Sequence, residues 1–97
     1  MAAVGASSTV RYTVVLVYDP NGGYVVRVPA LRGCVTEGNS LPEALDNARE
    51  AITAYLESLA RDGHSVPKDA RVIHLEEDDE EALIVRVPIG GAPGIAN

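Results

Sequence analysis

The sequence has few of the features that define disulfide-rich, secreted or membrane proteins. Its 97 residues include a single cysteine, Cys34, so no disulfide can form within the chain, which favours a reducing compartment. No apolar run approaches the ~18 residues of a membrane span. The opening MAAVGASSTV lacks the basic segment and the apolar core of a signal peptide. We therefore expect a cytoplasmic protein that does not associate with membranes.

The sequence also has few residues that could act in catalysis or bind a metal. His64, His74 and Cys34 lack the spacing of a zinc site, and no base is implied beside the Cys34 thiol. We interpret the two histidines as surface or turn residues and Cys34 as a small core residue. The sequence thus predicts no catalytic, cofactor-binding or metal-binding site, and a protein that is not an enzyme.

Negative charge is concentrated in one short run. The net charge is −6, and the eight acidic residues outside the run equal the eight Lys and Arg residues in number. The run consists of Glu76, Glu77, Asp78, Asp79, Glu80 and Glu81. It disfavours binding to nucleic acid, whose phosphates it would repel, and the scattered arginines form no basic patch. It fits either a basic protein partner or a solvated loop that aids solubility.

The first half of the chain predicts an antiparallel meander. Residues 11–18 are rich in β-branched and aromatic residues, as strands are. Asn21 and Gly22 supply the positive-φ positions of a tight hairpin turn, and residues 24–28 form the returning strand. Residues 34–37 predict a third strand, which Gly38 closes.

One long amphipathic helix follows. Ser40 and Glu43 have the spacing of a capping box, and Pro42 is tolerated in the first turn. The helix is predicted over residues 41–62, and Gly63 ends it. Its apolar stripe, which must lie on the sheet, consists of Leu41, Ala44, Leu45, Ala48, Ala51, Ile52, Tyr55, Leu56 and Leu59.

These elements predict a single α+β domain. Residues 71–75 are compatible with a short strand, and residues 82–88 predict a better one that Pro88 ends. The expected architecture is an antiparallel three- to four-stranded sheet with one long helix packed on it, in the order β-β-β-α-β. The domain should cover residues 11–88, between a flexible N-terminus (1–10) and a flexible C-terminal tail (89–97).

Several linked motifs resemble one known family. The chain contains a GGY hairpin (residues 22–24), a P-x-L-x-G-C loop (29–34), a T-x-G strand end (36–38) and an EA pair at the helix start (43–44). Together they resemble the HicB-like antitoxin domain over about residues 11–60, and residues 82–88 resemble the last strand of that family.

The resemblance implies a partial ribonuclease-H-like fold and a protein-binding function. Members of the family neutralise HicA, a small basic ribonuclease that cleaves messenger RNA. Full-length relatives often add a C-terminal DNA-binding domain, but only ten residues follow Val87 here, so we expect no direct operator binding. The carboxylates of a true ribonuclease H are missing from the strands, and nuclease activity is not carried over.

The sequence leaves three functions open. The first is an antitoxin that binds a HicA-type toxin through acidic residues, namely Glu43, Asp46 and Glu50 on the helix and the run from Glu76 to Glu81. The second is a stand-alone regulatory or small-ligand-binding domain with no toxin partner. The third is a residual hydrolase that uses Asp19, Glu37 and a metal. Open strand edges also predict a homodimer or higher homo-oligomer, formed through an edge strand or the sheet face, and we expect the final strand to take part.

Overall fold

Four antiparallel strands and one helix form the fold, which is α+β as the sequence predicts. The structure is a computed structural model that describes residues 9–76 and 81–90. In chain order the elements are β1 (Thr9–Tyr18), β2 (Tyr24–Arg27), β3 (Val35–Gly38), α1 (Leu41–Arg61) and β4 (Leu83–Gly90). The strands form one sheet in the order β3-β2-β1-β4, so β3 and β4 are its edges.

The hairpin between β1 and β2 is built on glycine. Gly22 and Gly23 have φ angles of 104° and 86°, which side-chain-bearing residues rarely adopt. The Asp19 carboxylate accepts a hydrogen bond from the Asn21 N–H at 2.9 Å, and the Gly22 N–H donates to the Asp19 carbonyl at 2.8 Å. The turn therefore forms in the predicted stretch, but its positive φ angles are at Gly22 and Gly23, whereas the sequence assigned them to Asn21 and Gly22. The turn sets the register in which Tyr18 lies opposite Tyr24.

The helix covers one face of the sheet. The Ser40 hydroxyl accepts from the Glu43 N–H at 3.2 Å, and a Glu43 carboxylate oxygen accepts from the Asn39 N–H at 3.0 Å, which completes a capping box. The helix residues that are fully buried belong to the predicted stripe and are Ala44, Ala48, Ile52 and Leu56. They pack on the strand residues Tyr12, Val14, Leu16, Val26, Val87 and Ile89.

Both long strands extend two residues beyond their predicted ends. The β1–β4 pairing runs from Thr9 opposite Gly90 to Leu16 opposite Leu83, so the prediction that Pro88 ends the last strand was wrong. The Thr13 N–H donates to Asp69 and therefore points away from β4. Along an antiparallel pair, hydrogen-bonded and non-hydrogen-bonded residue pairs alternate. Thr13 and Arg86 form a non-hydrogen-bonded pair, and so do Arg11 and Pro88, which lie two residues further along. The nitrogen of Pro88 therefore points away from β1. The missing N–H of Pro88 thus costs no hydrogen bond to β1.

The connection from α1 to β4 passes from the helix side of the sheet to the other side. The Tyr12 hydroxyl donates to the Pro67 carbonyl at 2.5 Å on the helix side. Thr13, the next residue, bonds to Asp69, and the Arg27 guanidinium donates to the His74 carbonyl at 2.9 Å on the opposite face. Residues 71–75, which the sequence left as a possible strand, form bends and coil instead.

Tyr12 makes stability sensitive to alkaline pH. Burial, and secondarily the negative charge of Asp69, raise the pKa of its phenol above the ordinary value of about 10. The folded state thus favours the protonated phenol, and its contribution is complete below pH ~10 and is lost as pH rises through the folded-state pKa. We expect the free energy of unfolding to fall above pH ~10, and Tyr12→Phe to flatten that fall, as measured by urea denaturation between pH 8 and 11. An equally steep fall in Tyr12→Phe would contradict this assignment.

Candidate protein-binding surfaces

The acidic residues predicted on the helix lie on its solvent face, but two of the three already have partners. Glu43 is engaged in the capping box. A carboxylate oxygen of Asp46 accepts from Arg49 at 3.0 Å in an exposed ion pair. Glu50 is exposed. The helix surface is therefore acidic, with part of its charge compensated locally.

Glu57 belongs to the same surface and was not among the predicted site residues. A shallow open depression of about 530 Å³ is lined by Asp46, Arg49, Glu50, Thr53, Ala54 and Glu57. Glu57 follows Glu50 by seven residues, which is two helical turns and places both side chains on one face. That spacing was available in the sequence and could have added Glu57 to the candidates.

The two described residues of the acidic run lie away from the helix surface. Glu76 and Glu81 are exposed, whereas Glu77, Asp78, Asp79 and Glu80 lie outside the described residues. Glu76 follows His74 by two residues, and His74 is bonded to Arg27 on the sheet face opposite α1. Glu81 directly precedes β4. Of the predicted acidic residues that the structure describes, Glu43, Asp46 and Glu50 therefore form a helix group, and Glu76 and Glu81 lie apart from it, beside the segment 64–76 and β4.

The exposed large apolar residues lie on the strands and on the segment before the acidic run, and not on the helix. In the part of the chain that the structure describes, the large apolar side chains that are exposed are Tyr18, Val25, Val35, Val72, Leu75, Leu83 and Ile84. None belongs to α1. Leu75 directly precedes the acidic run, and Val72 lies three residues before Leu75. A surface that combines exposed apolar groups with charge at its border has the composition of a protein interface.

The histidines and the cysteine do not come together in the part of the chain that the structure describes. Cys34 lies in the core as predicted, and burial raises the pKa of its thiol, which keeps it protonated. His64 and His74 are exposed, as expected for surface residues. Within residues 9–76 and 81–90, no group of three or more His, Cys, Asp or Glu side chains is placed to hold a metal ion. In the same residues no helix has the length and apolar character to cross a membrane.

The two carboxylates of the hydrolase alternative have separate positions. Asp19 accepts a hydrogen bond within the hairpin turn, at one end of β1. Glu37 is exposed on edge strand β3, opposite Val25 of β2. The Glu37 carbonyl accepts a hydrogen bond from the Asn47 side chain at 2.8 Å, which ties β3 to α1. The Asp19 side chain therefore has a structural role in the turn, and the Glu37 backbone has one in joining β3 to α1.

Comparison with known sequences identifies relatives over most of the chain. A family profile described as "HicB_like antitoxin of bacterial toxin-antitoxin system" matches residues 12–89. A UPF0150 protein of Thermoplasma acidophilum is 51% identical over 59 residues, which cover 61% of this chain and 86% of the relative. A second UPF0150 protein, from Synechocystis, is 40% identical over 63 residues, which cover 65% of this chain and 80% of that protein.

Solved structures share the fold. A toxin–antitoxin complex from Streptococcus pneumoniae contains a chain that superposes with a TM-score of 0.71 at 20% identity, covering 84% of this chain and 69% of that one. The N-terminal domain of the Burkholderia pseudomallei antitoxin HicB superposes with a TM-score of 0.65 at 24% identity, covering 79% of this chain and 94% of that domain. These likenesses confirm the architecture predicted from the motif pattern.

Proposed function

The chain belongs to the HicB-like antitoxin family, and from this premise we propose that it neutralises a HicA-type toxin by masking its RNA-binding surface. An enzyme that grips RNA must present positive charge to the phosphates. A protein that covers such a surface gains from negative charge, chiefly in the rate and orientation of encounter. The observation that carries the proposal is the acidic run, whose described ends Glu76 and Glu81 are both exposed. Such an antitoxin must share the compartment of messenger RNA, and we place it in the cytoplasm.

The toxin is proposed to dock on the sheet side of the domain rather than on the helix. Glu43 and Asp46 of the helix group already bond to Asn39 and Arg49. On the sheet side, the run follows Val72 and Leu75, whose side chains are 68% and 50% exposed. Burial of such apolar groups supplies affinity, whereas exposed charges mainly steer the approach. The sheet side offers both within a few residues.

The test of the function is reconstitution with a toxin. The reading frame adjacent to this gene should be co-expressed with the chain, and the pair purified by a tag on one partner. We expect co-purification, and we expect the toxin alone to cleave RNA while an equimolar amount of this chain stops the cleavage. Full cleavage in the presence of excess chain, with a toxin shown to be active, would overturn the proposal.

Neutralising the acidic run should slow toxin binding. Changing all six residues from Glu76 to Glu81 to their amides removes six negative charges without removing the apolar contacts. We expect the association rate constant at low salt to fall about 10- to 100-fold, since steering raises such rates by ~10–10³. The difference should shrink as salt rises, because screening shortens the reach of charge. Stopped-flow or biolayer interferometry at two ionic strengths measures both effects.

A matched control distinguishes the two acidic groups. Asp46→Asn with Glu50→Gln removes charge from the helix surface and leaves the cap at Glu43 intact. This variant should bind the toxin with nearly the unchanged rate. If the helix variant slows association and the run variant does not, the toxin docks on α1 and the sheet-side placement is wrong.

A further inference from the structure

The turn between β1 and β2 contains the dipeptide Asn21-Gly22, and both of its residues are exposed. The side-chain amide of an asparagine can react with the backbone nitrogen of the next residue. Glycine permits this reaction best, because it has no side chain to hinder the approach and its backbone is the most adaptable. Of the asparagines in the chain, Asn21 is the one that glycine follows. The turn therefore combines a reactive dipeptide with access to water, and the proposed function makes no use of it.

The folded turn engages the nitrogen that would attack. The Gly22 N–H donates to the Asp19 carbonyl at 2.8 Å, which closes a β-turn over residues 19–22. The Asn21 N–H donates to the Asp19 carboxylate at 2.9 Å, and the Asp19 N–H donates to the Gly23 carbonyl at 2.9 Å. The Gly22 nitrogen must lose its proton before it can attack a carbonyl carbon. The hydrogen bond that closes the turn therefore also keeps this nitrogen unreactive.

We propose that Asn21 is a site of non-enzymatic deamidation that reacts only when the hairpin turn opens. In the open turn, hydroxide removes the Gly22 amide proton, and the nitrogen attacks the side-chain carbonyl carbon of Asn21. The new N–C bond forms, the side-chain nitrogen takes a proton from water and leaves as ammonia, and a five-membered succinimide remains. Water then opens the succinimide at either of its carbonyl carbons, which gives aspartate or isoaspartate at position 21.

The product marks the molecule irreversibly. In isoaspartate the main chain runs through the former side chain, so the turn is longer by one backbone atom. The unmodified turn sets the register in which Tyr18 lies opposite Tyr24. The new carboxylate also repels that of Asp19, which accepts a hydrogen bond from the N–H of the same residue. Deamidation at Asn21 thus records the time that a molecule has spent with its hairpin open, a property that goes beyond the proposed function and needs no toxin.

Comparison with hydrogen exchange tests the dependence on turn opening. Both reactions require the Gly22 N–H to leave the Asp19 carbonyl, so folding should slow both by the same factor. The full chain is incubated at mildly alkaline pH with and without urea, and peptide mapping by mass spectrometry follows each asparagine. In urea we expect Asn21 to deamidate faster than Asn39 and Asn47, which serve as internal controls. In the folded chain we expect its rate to be at least ~10-fold lower, and exchange at Gly22 to be slowed equally.

Three results of this comparison would overturn the proposal. If Asn21 deamidates as fast in the folded chain as in urea, the closed turn does not protect it. If the folded-state rate exceeds the open fraction obtained from hydrogen exchange at Gly22, the attack occurs within the closed turn. If Asn21, Asn39 and Asn47 deamidate at equal rates in urea, Asn21 is not a distinct modification site.

Asp19→Ala loosens the turn and leaves the reactive dipeptide intact. The change removes the acceptor of the Asn21 N–H. We expect deamidation at Asn21 and hydrogen exchange at Gly22 to quicken together by about 2- to 10-fold, the range for one hydrogen bond. Asp19→Asn is the matched control, since it keeps an oxygen acceptor and adds no reactive site before Pro20, which has no N–H. It should change both rates less. Faster exchange with unchanged deamidation in Asp19→Ala contradicts the dependence on this turn.

The effect of the longer main chain can be separated from that of the added charge. Ion exchange isolates the aged chain with one more negative charge, and peptide mapping distinguishes isoaspartate from aspartate. Asn21→Asp carries the same charge on an ordinary main chain. We expect the isoaspartate form to unfold at a lower urea concentration than Asn21→Asp. Equal unfolding midpoints would contradict the claim that the modification leaves a lasting mark on the hairpin.

Discussion

Replacing Gly38 by Ala is expected to lower the free energy of unfolding by about 3 kcal/mol, the upper part of the range for overpacking. Gly38 is the last residue of β3 and is buried against the first turn of α1. A methyl group on its Cα would lie 2.5 Å from the Cα of Ala44 and 3.0 Å from its Cβ. These atoms belong largely to the helix backbone, which cannot turn aside as a flexible side chain would. The strand and the helix must therefore separate.

Gly90→Ala is the matched control for this substitution. Gly90 also lies in an edge strand, but a methyl group there would meet nothing within 4 Å. Its effect should stay within ~0.5 kcal/mol, as for other surface substitutions. Urea denaturation of both variants compares the two free energies of unfolding. Equal stability of the two variants would contradict the explanation that position 38 needs glycine so that β3 can approach α1 closely.

The close contact between Gly38 and Ala44 gives a structural reason for two of the motifs that resemble the HicB-like family. The T-x-G strand end brings glycine to the site where β3 enters the helix layer, and the EA pair at the helix start supplies Glu43 for the cap and Ala44 for the contact. A small residue on each side lets the two backbones meet. The motif thus meets a packing requirement.

Features that depend on neighbouring residues along the chain could be predicted. The Ser40–Glu43 capping box, the helical spacing of the apolar stripe and the hairpin turn at residues 19–23 each depend on a few neighbouring residues, and the structure contains all three, although the turn has its positive φ angles at Gly22 and Gly23 and not at Asn21 and Gly22 as predicted. Helix α1 was placed to within one residue, because both its cap and its glycine stop are local signals.

Features that depend on distant partners could not be predicted. Strand β4 continues through Pro88 because the nitrogen of that residue faces the open edge, an orientation set by the register of β4 on β1. The path of residues 64–76 likewise depends on contacts to β1 and β2 that are 47 to 56 positions away in sequence. No local sequence pattern indicates such long-range contacts.

For the candidate surfaces too, the residue types could be predicted from the sequence, but their arrangement in space could not. The acidic residues were visible in the sequence, but the separation of the described ones into a helix group and the pair Glu76 and Glu81 was not, since it requires the layer order. The exposed apolar residues Val25 and Val35 alternate with buried positions in short strands. From the sequence alone, Val25 and Val35 could lie on the second face of the sheet, covered by another part of the chain. In the structure, residues 64–76 cross only part of that face, and Val25 and Val35 remain exposed.

Asp69→Ala should lower the free energy of unfolding by about 2–4 kcal/mol. One carboxylate oxygen of Asp69 accepts from the Thr13 N–H and the other from the Thr13 hydroxyl, each at 2.7 Å. Thr13 is only 4% exposed, so both donors lose their partner without access to water. Each buried unsatisfied group costs about 1–3 kcal/mol. The ion pair with Arg86 adds little, because the arginine side chain is 70% exposed.

Asp69→Asn and Thr13→Val separate the contributions of the two bonds. The amide oxygen of asparagine still accepts from the Thr13 N–H, so Asp69→Asn should cost less than half as much as Asp69→Ala. In Thr13→Val the hydroxyl is gone, and a further Asp69→Ala change should cost less than it does in the unmodified chain. Urea denaturation gives these differences, and hydrogen exchange at the Thr13 amide should quicken in Asp69→Ala. Since this carboxylate anchors the segment that leads to the acidic run, the Asp69→Ala variant should also bind a toxin more weakly. An unchanged exchange rate at Thr13 would mean that the anchor does not hold the segment in solution.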